Sequence, residues 1–227
     1  LWKGLQLLQF DIPKFFAKEK LQQQIEDVVA KNNHLSLARV RLTIFRGDGG
    51  LYDAVNHFPN YVIQSWALPI DKGGFNENGL VVGFYEYAKK SCDAFSNIKH
   101  NNFLPYTMAA LAAKQNKWND ALVLNTFGNI CDSTIANIFI VKDNIVFTPP
   151  LTEGCIEGTN RNRVIKILQS NKFNVQKIAL TKAMVLNADE VFLTNAINNI
   201  KWVGQIEDKN YSNTVTQKIV HLVSQPN

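Results

Sequence analysis

The chain has 227 residues, 46% of them hydrophobic and 19% charged, which is enough apolar side chain for a sizeable core in one large domain or two small ones. Its net charge of +5 comes from Lys and Arg residues spread along the chain without a basic stripe interleaved with aromatics, which argues against nucleic-acid binding and for solubility and small anionic ligands. Cys92, Cys131 and Cys155 lack CxxC spacing, the histidines lack metal-ligand spacing and no apolar run is long enough for a membrane, so reduced thiols, no metal, no membrane and a cytoplasmic setting are expected.

Leu1-Trp2-Lys3-Gly4-Leu5 reads as the middle of a helix with neither Met nor cap, as in a truncated chain. Pro13 suits a first helical turn, and Leu21, Ile25, Val28 and Val29 recur at helical spacing, which predicts a helix over 13–32. Leu37–Phe45 alternates Arg39, Arg41 and Thr43 with Val40, Leu42 and Ile44, the pattern of a half-buried strand. After the Arg46-Gly47-Asp48-Gly49-Gly50 loop, Tyr61–Leu68 and Leu80–Tyr87 read as two more strands. Residues 1–87 are thus expected to form a small α/β lobe, 88–99 a linker and 100–227 a larger lobe.

In the larger lobe, Pro105 falls in the first turn of a helix whose apolar face holds Leu104, Met108, Leu111 and Ala112. Strands are predicted at Ala121–Leu124, Ile135–Val141 and Ile145–Phe147, and Gly158 opens an amphipathic helix. Strand Phe173–Ile178, a short helix capped by Thr181, strands Glu190–Thr194 and Ile200–Val203, and a last helix capped by Ser212 complete the chain.

Two features carry chemistry. Asp132 sits among short strands beside Ser133, Thr134 and Asn137, and Gly158-Thr159-Asn160-Arg161 offers a helix N-terminus whose free N–H groups and dipole favour a phosphate. A carboxylate and a phosphate cradle so close in sequence suggest a phosphorylated organic cofactor. Taken singly, Asp132 also fits a turn satisfied by its own neighbours, and Thr159-Asn160 also fits simple N-capping.

The ordered pattern Asn125-x-x-Gly128-x-x-x-Asp132-Ser133-x-x-x-Asn137-Ile138-Phe139, then Thr148-Pro149-Pro150, Gly154, Gly158 and Arg161, resembles class IV aminotransferases over essentially the whole chain. These are the pyridoxal 5'-phosphate (PLP) enzymes of fold type IV, among them branched-chain and D-amino-acid aminotransferases and 4-amino-4-deoxychorismate lyase. The resemblance implies a two-lobed α/β (α+β) fold of the D-amino-acid aminotransferase kind, PLP between the lobes, a homodimer, and a preceding β-rich segment that carries the phosphate-gripping arginine. It makes Lys99, in Ser96-Asn97-Ile98-Lys99-His100 and 33 positions before Asp132, the Schiff-base lysine at the end of the linker. A lysine desolvated in a pocket is the amine such chemistry needs.

By the same resemblance Asp132 faces the pyridine nitrogen, a place where the family normally has glutamate, and Thr159 and Asn160 hold the phosphate through backbone N–H groups. Thr194, Asn195 and Ala196 form a second phosphate and substrate turn. Phe103 stands near a family tyrosine that hydrogen-bonds the cofactor's phenolic oxygen, a bond within reach of Tyr106 one turn away. Arg39 and Arg41 are candidates for the substrate carboxylate, Arg41 matching an arginine of branched-chain aminotransferases. Leu51, where bacterial aminodeoxychorismate lyases tend to have a substrate arginine, tells against the lyase, whereas the short C-terminal region is more like the lyase and D-amino-acid branches than the branched-chain one. The implied activity is amino transfer between an amino acid of branched-chain or D-type and a 2-oxo acid. The alternatives are release of pyruvate from aminodeoxychorismate, PLP binding without catalysis, and a plain α/β binding domain.

Overall fold

Side-chain alternation decides what each strand faces, and here most central strands are covered on both sides, so they read as unbroken apolar runs. The computed structural model describes residues 1–50, 52, 55–69 and 75–225. Its chain divides into two units, Leu1–Lys72 and Gly73–Asn227.

In the smaller unit, α1 (Trp2–Leu7) and α2 (Lys18–Lys31) accompany the antiparallel pair β1 (Ala38–Phe45) and β2 (Asn60–Ala67), registered from Ala38 opposite Ala67 to Phe45 opposite Asn60. Leu5, Phe16 and Leu21 are its buried apolar cluster. The helix expected over 13–32 begins only at Lys18. Pro13–Phe16 instead forms a turn closed by the Phe16 N–H donating to Pro13 O at 2.9 Å. That turn swings the Phe16 ring between Trp2 and Tyr61, edge-on to each at 5.4 and 5.5 Å, so tertiary burial of one aromatic outweighs helix continuation. Val40, Leu42 and Ile44 are half-buried while Arg39 and Arg41 are exposed, as the alternation predicts.

The larger unit starts with β3 (Leu80–Lys90), α3 (Leu104–Gln115), β4 (Asp120–Asn125), β5 (Ile130–Ser133), β6 (Asn137–Lys142) and β7 (Ile145–Thr148). It continues with α4 (Thr159–Ser170), β8 (Val175–Lys177), α5 (Lys182–Leu186), β9 (Glu190–Asn195), β10 (Asn199–Ile206), β11 (Lys209–Asn210) and α6 (Thr214–Ser224). Among the described residues its strands form one sheet in the order β5-β4-β3-β10-β9-β6-β7-β8, with β11 beside β10. The sheet curls until its ends meet, the Ile130 N–H of β5 donating to Leu180 O just past β8 at 2.7 Å. Leu122, Leu124, Ile138, Ile140, Val191 and Leu193 point into the curl as one cluster. Their neighbours point outward, Phe139, Val141 and Phe192 against α4 and α6, and Ala121 and Val123 against α3.

Four expectations change. The division of the chain falls before β3, ahead of the 87/88 boundary, because β3 pairs in parallel with both β4 and β10 and belongs to the larger sheet. The expected strand Ile135–Val141 is two elements' worth of chain: Ile135 lies exposed in the turn between β5 and β6, where the Ser133 N–H donates to Ala136 O. Helix α3 buries Ala109 and Ala113, while Leu104, Met108 and Leu111 are exposed, since only small side chains fit its close approach to β3 and β4. Ser212 does not cap the last helix. Asn213 is the cap position, and the first N–H groups of α6 go to the buried Glu190, from Val215 at 2.8 Å and Thr216 at 2.7 Å.

Candidate active site

Asp132, in β5, is 2% exposed, and its side chain is bonded from α3, the end of β3, the 151–157 segment and the start of β6. Its Oδ2 accepts from the Tyr106 hydroxyl of α3 at 2.8 Å and the Ile156 N–H at 2.9 Å, and Lys90 Nζ stands 3.4 Å away. Its Oδ1 accepts from Asn137 Nδ2 at 2.8 Å. The local turn is satisfied without it: Ser133 bonds Ala136, and Thr134 donates to Asp120. The carboxylate is therefore held by tertiary contacts, and the reading of Asp132 as a turn residue is corrected. Three donors converge on Oδ2 and one on Oδ1, so Oδ1 keeps capacity to accept another.

Burial pushes the Asp132 carboxyl above the usual carboxylate range; Lys90, then the Ile156 N–H and the Tyr106 hydroxyl, pull it back. Burial and the Asp132 charge push the Tyr106 hydroxyl well above its ordinary range, so it stays a donor. Burial and then Asp132 also raise both neighbouring thiols, Cys131 well above its usual value and Cys155 to about 12, which keeps them protonated and unreactive.

The second part of the site is the start of α4. Gly158 is its N-cap, with no side-chain cap bond, so neither Thr159 nor Asn160 serves as a side-chain cap. A Cβ on Gly158 would lie 2.1 Å from Asn137 Oδ1, so only glycine lets the helix start this close to the Asp132 network. Asn160 Nδ2 donates to Thr194 Oγ1, to Asn195 O and Asn199 O, each at 3.1 Å, tying the first turn to the β9–β10 connection. In that connection Asn195 Oδ1 accepts from the Ile197 and Asn198 N–H groups at 2.9 and 2.7 Å, and Ala196 is exposed at the tip. Thr194 is buried beneath it. Arg161, 2% exposed, donates to Pro149 O at 2.7 Å, while its buried Nε has no partner among the described residues. An uncapped helix start, a threonine hydroxyl and a buried guanidinium together fit a phosphate, and the Asp132 carboxylate fits the protonated ring nitrogen of PLP.

Lys99 is exposed in the structure, not desolvated as expected, and no hydrogen bond or ion pair holds it among the described residues. The loop that carries it is nevertheless anchored. Asn97 Nδ2 donates to Leu151 O at 2.8 Å and Cys155 O at 2.7 Å, and its carbonyl accepts from the Glu157 N–H at 2.9 Å. The same 151–157 segment supplies Ile156 to Asp132, so Asn97 links the lysine loop to the carboxylate. Gly154 (φ 79°) turns this segment in the left-handed region, where a Cβ would meet Ser91 O at 2.4 Å.

Tyr106 spends its hydroxyl on Asp132, and Phe103 is the N-cap residue of α3. Arg39 lies over the Trp66 ring at 5.3 Å, and Arg41 is exposed opposite Gln64; both belong to the smaller unit. Leu51 lies outside the described residues. Sequence reasoning missed Lys90 and Asn97. The first is one lysine of a pair at a strand end, with nothing local to say which one is buried, and the second shows only as a neighbour of Lys99. No group of three or more potential metal-ligating His, Cys, Asp or Glu side chains occurs among the described residues. None of the described helices is long and apolar enough to cross a membrane.

The fold and site together define a class. Residues 2–206 match the family model for amino-transferase class IV, and the chain belongs to that family, as the sequence pattern implied. It is 30% identical over 171 residues to an aminodeoxychorismate lyase of Vibrio harveyi, covering 74% of this chain and 63% of that protein. It is 25% identical over 196 residues to a branched-chain-amino-acid aminotransferase of Salmonella typhimurium, covering 83% of this chain and 62% of that one. The chain thus spans less than two thirds of the length of these relatives. Among solved structures, a branched-chain amino acid aminotransferase from Escherichia coli superposes with a TM-score of 0.83 at 22% identity, over 96% of this chain and 72% of that one, which shows a shared fold.

Proposed function

We propose that the protein is a PLP-dependent class IV aminotransferase that moves an amino group between an amino acid, of branched-chain or D-type, and a 2-oxo acid. The observation that carries this reading is the pairing of a buried, multiply bonded carboxylate at Asp132 with an uncapped helix start at Thr159 and Asn160, joined through Asn137 and Gly158. Family membership supports the same reading. Bound PLP supplies an electron-withdrawing ring that accepts the electron pair left when the substrate's alpha proton is removed.

The chain's own residues do the rest. The Thr159 and Asn160 N–H groups and the Thr194 hydroxyl bind the phosphate, aided by the Asn195–Ala196 backbone. Asp132 holds the proton on the ring nitrogen. The Lys99 amine would hold the cofactor and would carry the alpha proton during transfer. Arg41 and Arg39 are the proposed partners of the substrate carboxylate.

The lyase is the second reading, favoured by the 30% identity to the Vibrio harveyi enzyme. A cytoplasmic homodimer fits both readings: the three cysteines are free, and Leu104, Met108 and Leu111 leave an exposed apolar face on α3. The test is PLP uptake followed by borohydride reduction and peptide mass mapping, with amino-donor and aminodeoxychorismate assays alongside. A reduced cofactor fixed to Lys99 and absent from Lys99→Ala is expected. A protein that takes up no PLP, or fixes it at another lysine, overturns the assignment.

A further inference from the structure

Lys90 is a charge that the family pattern does not account for. It ends β3, whose pairing with β4 breaks between Tyr85 and Lys89, after which Lys89 and Lys90 re-enter opposite Leu124 and Asn125. The break leaves Lys89 exposed and turns Lys90 inward. There the side chains of Lys90 and Asp132 are 7% and 3% exposed, with Nζ 3.4 Å from Oδ2. The ammonium also lies over the Tyr106 ring at 5.3 Å, and the hydroxyl of that tyrosine donates to the same Oδ2. Desolvating an ion pair this completely costs about as much as the attraction returns, so the pair is a poor stabiliser relative to apolar packing. A buried pair of that kind beside a ligand site is better explained by what its charge does there.

We propose that Lys90 is a positioning residue for the cofactor: it keeps Asp132 ionised and, with Tyr106 and the Ile156 N–H, occupies Oδ2, so that Oδ1 is the oxygen presented to the protonated ring nitrogen. The inference rests on the PLP reading above. Lys90 is not itself the lysine that secures the cofactor, because the aldehyde carbon is para to the ring nitrogen, so an amine in contact with Asp132 stands at the wrong end of the ring. It also gives a reason for aspartate at this position: a short side chain steadied by a cation and two further donors replaces the longer family glutamate. The other titratable groups around the pair are Tyr106 on α3, Cys131 on β5, Cys155 in the 151–157 segment, and His100 and Asp93 in the lysine loop. His100 is held below its usual range by burial first and by Lys90 second, so it adds no competing positive charge at neutral pH.

The test is a mutant cycle on the whole protein with Lys90→Met, Asp132→Asn, the double variant and Lys90→Arg, read as PLP dissociation constant and thermal midpoint. Lys90→Met is expected to weaken PLP binding at neutral pH by about tenfold or more, with a deficit that shrinks as rising pH ionises Asp132. In the Asp132→Asn background the same change is expected to have little effect on PLP binding and to raise the thermal midpoint, because it removes a buried charge left without its partner, and Lys90→Arg is expected to rescue binding. Equal losses in both backgrounds, or wild-type affinity in Lys90→Met, overturn the proposal. If Lys90→Met does not fold, Lys90→Gln serves the same cycle. Wild-type protein that takes up PLP while the cycle is flat sinks only the Lys90 role, whereas no uptake by the wild type sinks the cofactor reading itself.

Discussion

At the scale of single residues, the site is a carboxylate held by its surroundings chiefly through one oxygen. Tyr106, Ile156 and Lys90 converge on one oxygen of Asp132, and Asn137 takes the other. Removing the Tyr106 hydroxyl by Tyr106→Phe is expected to cost about 1.5–3 kcal/mol at neutral pH, the range for a hydrogen bond to a buried charge. The pH dependence has a definite sign. Because the folded-state affinity of Asp132 for its proton is raised above the unfolded value, its contribution to stability is full below the ordinary carboxylate range and is lost as pH rises through the raised value. Taking away a donor raises it further, so the Tyr106→Phe deficit in urea-unfolding free energy is expected to be larger at pH 8 than at pH 4. A deficit that is the same at both would show that the hydroxyl does not act through the Asp132 charge.

At the scale of elements, three helix starts in the larger unit do the work, those of α4, α5 and α6, and these three are satisfied differently. Thr181 caps α5 with its own side chain, accepting from the Met184 N–H, as the sequence predicts. Helix α6 takes its cap from a buried glutamate on a neighbouring strand, and α4 has no side-chain cap at all. Glu190→Ala is therefore expected to destabilise the protein by about 2 kcal/mol, since it strands the Val215 and Thr216 donors in the interior; chemical denaturation checks it. Gly158→Ala is expected to push Asn137 off Asp132, because its Cβ would sit 2.1 Å from Asn137 Oδ1. The expected outcome is a loss of PLP affinity larger than the loss in thermal midpoint. An alanine variant that binds PLP like the wild type would show that the close approach is not needed.

At the scale of the whole molecule, the two units differ in how much core they own. Among the described residues the smaller one has a buried cluster of three apolar side chains, Leu5, Phe16 and Leu21, whereas the larger has three clusters layered inside and outside its curled sheet. Amides of β1 and β2 are expected to exchange with deuterium faster than those of β4 and β9. Phe16→Ala removes the aromatic at the centre of the small cluster at a cost of about 3–5 kcal/mol and is expected to speed exchange in β1 and β2 while leaving β4 and β9 unchanged. Uniform acceleration along the chain would mean that the two units open together.

Much of this was legible in the residues themselves. Apolar runs and turn residues located nearly every strand and helix, because these signals are local, and the ordered pattern from Asn125 to Arg161 identified the family. Element ends were less legible where a distant side chain decided them, as Phe16 does for α2 and Glu190 for α6. The site was half readable. The sequence by itself carried the ordered Asn125–Arg161 motif that identifies the family, and through that resemblance the mixed α/β fold and the nomination of Lys99, Asp132, Thr159 and Thr194. Only the tertiary structure decided which groups meet Asp132. Lys90, Tyr106 and Ile156 lie 42, 26 and 24 positions away from it, and a strand-pairing break sets which of two adjacent lysines turns inward. Burial and register are properties of the folded sheet, so no local pattern announces them.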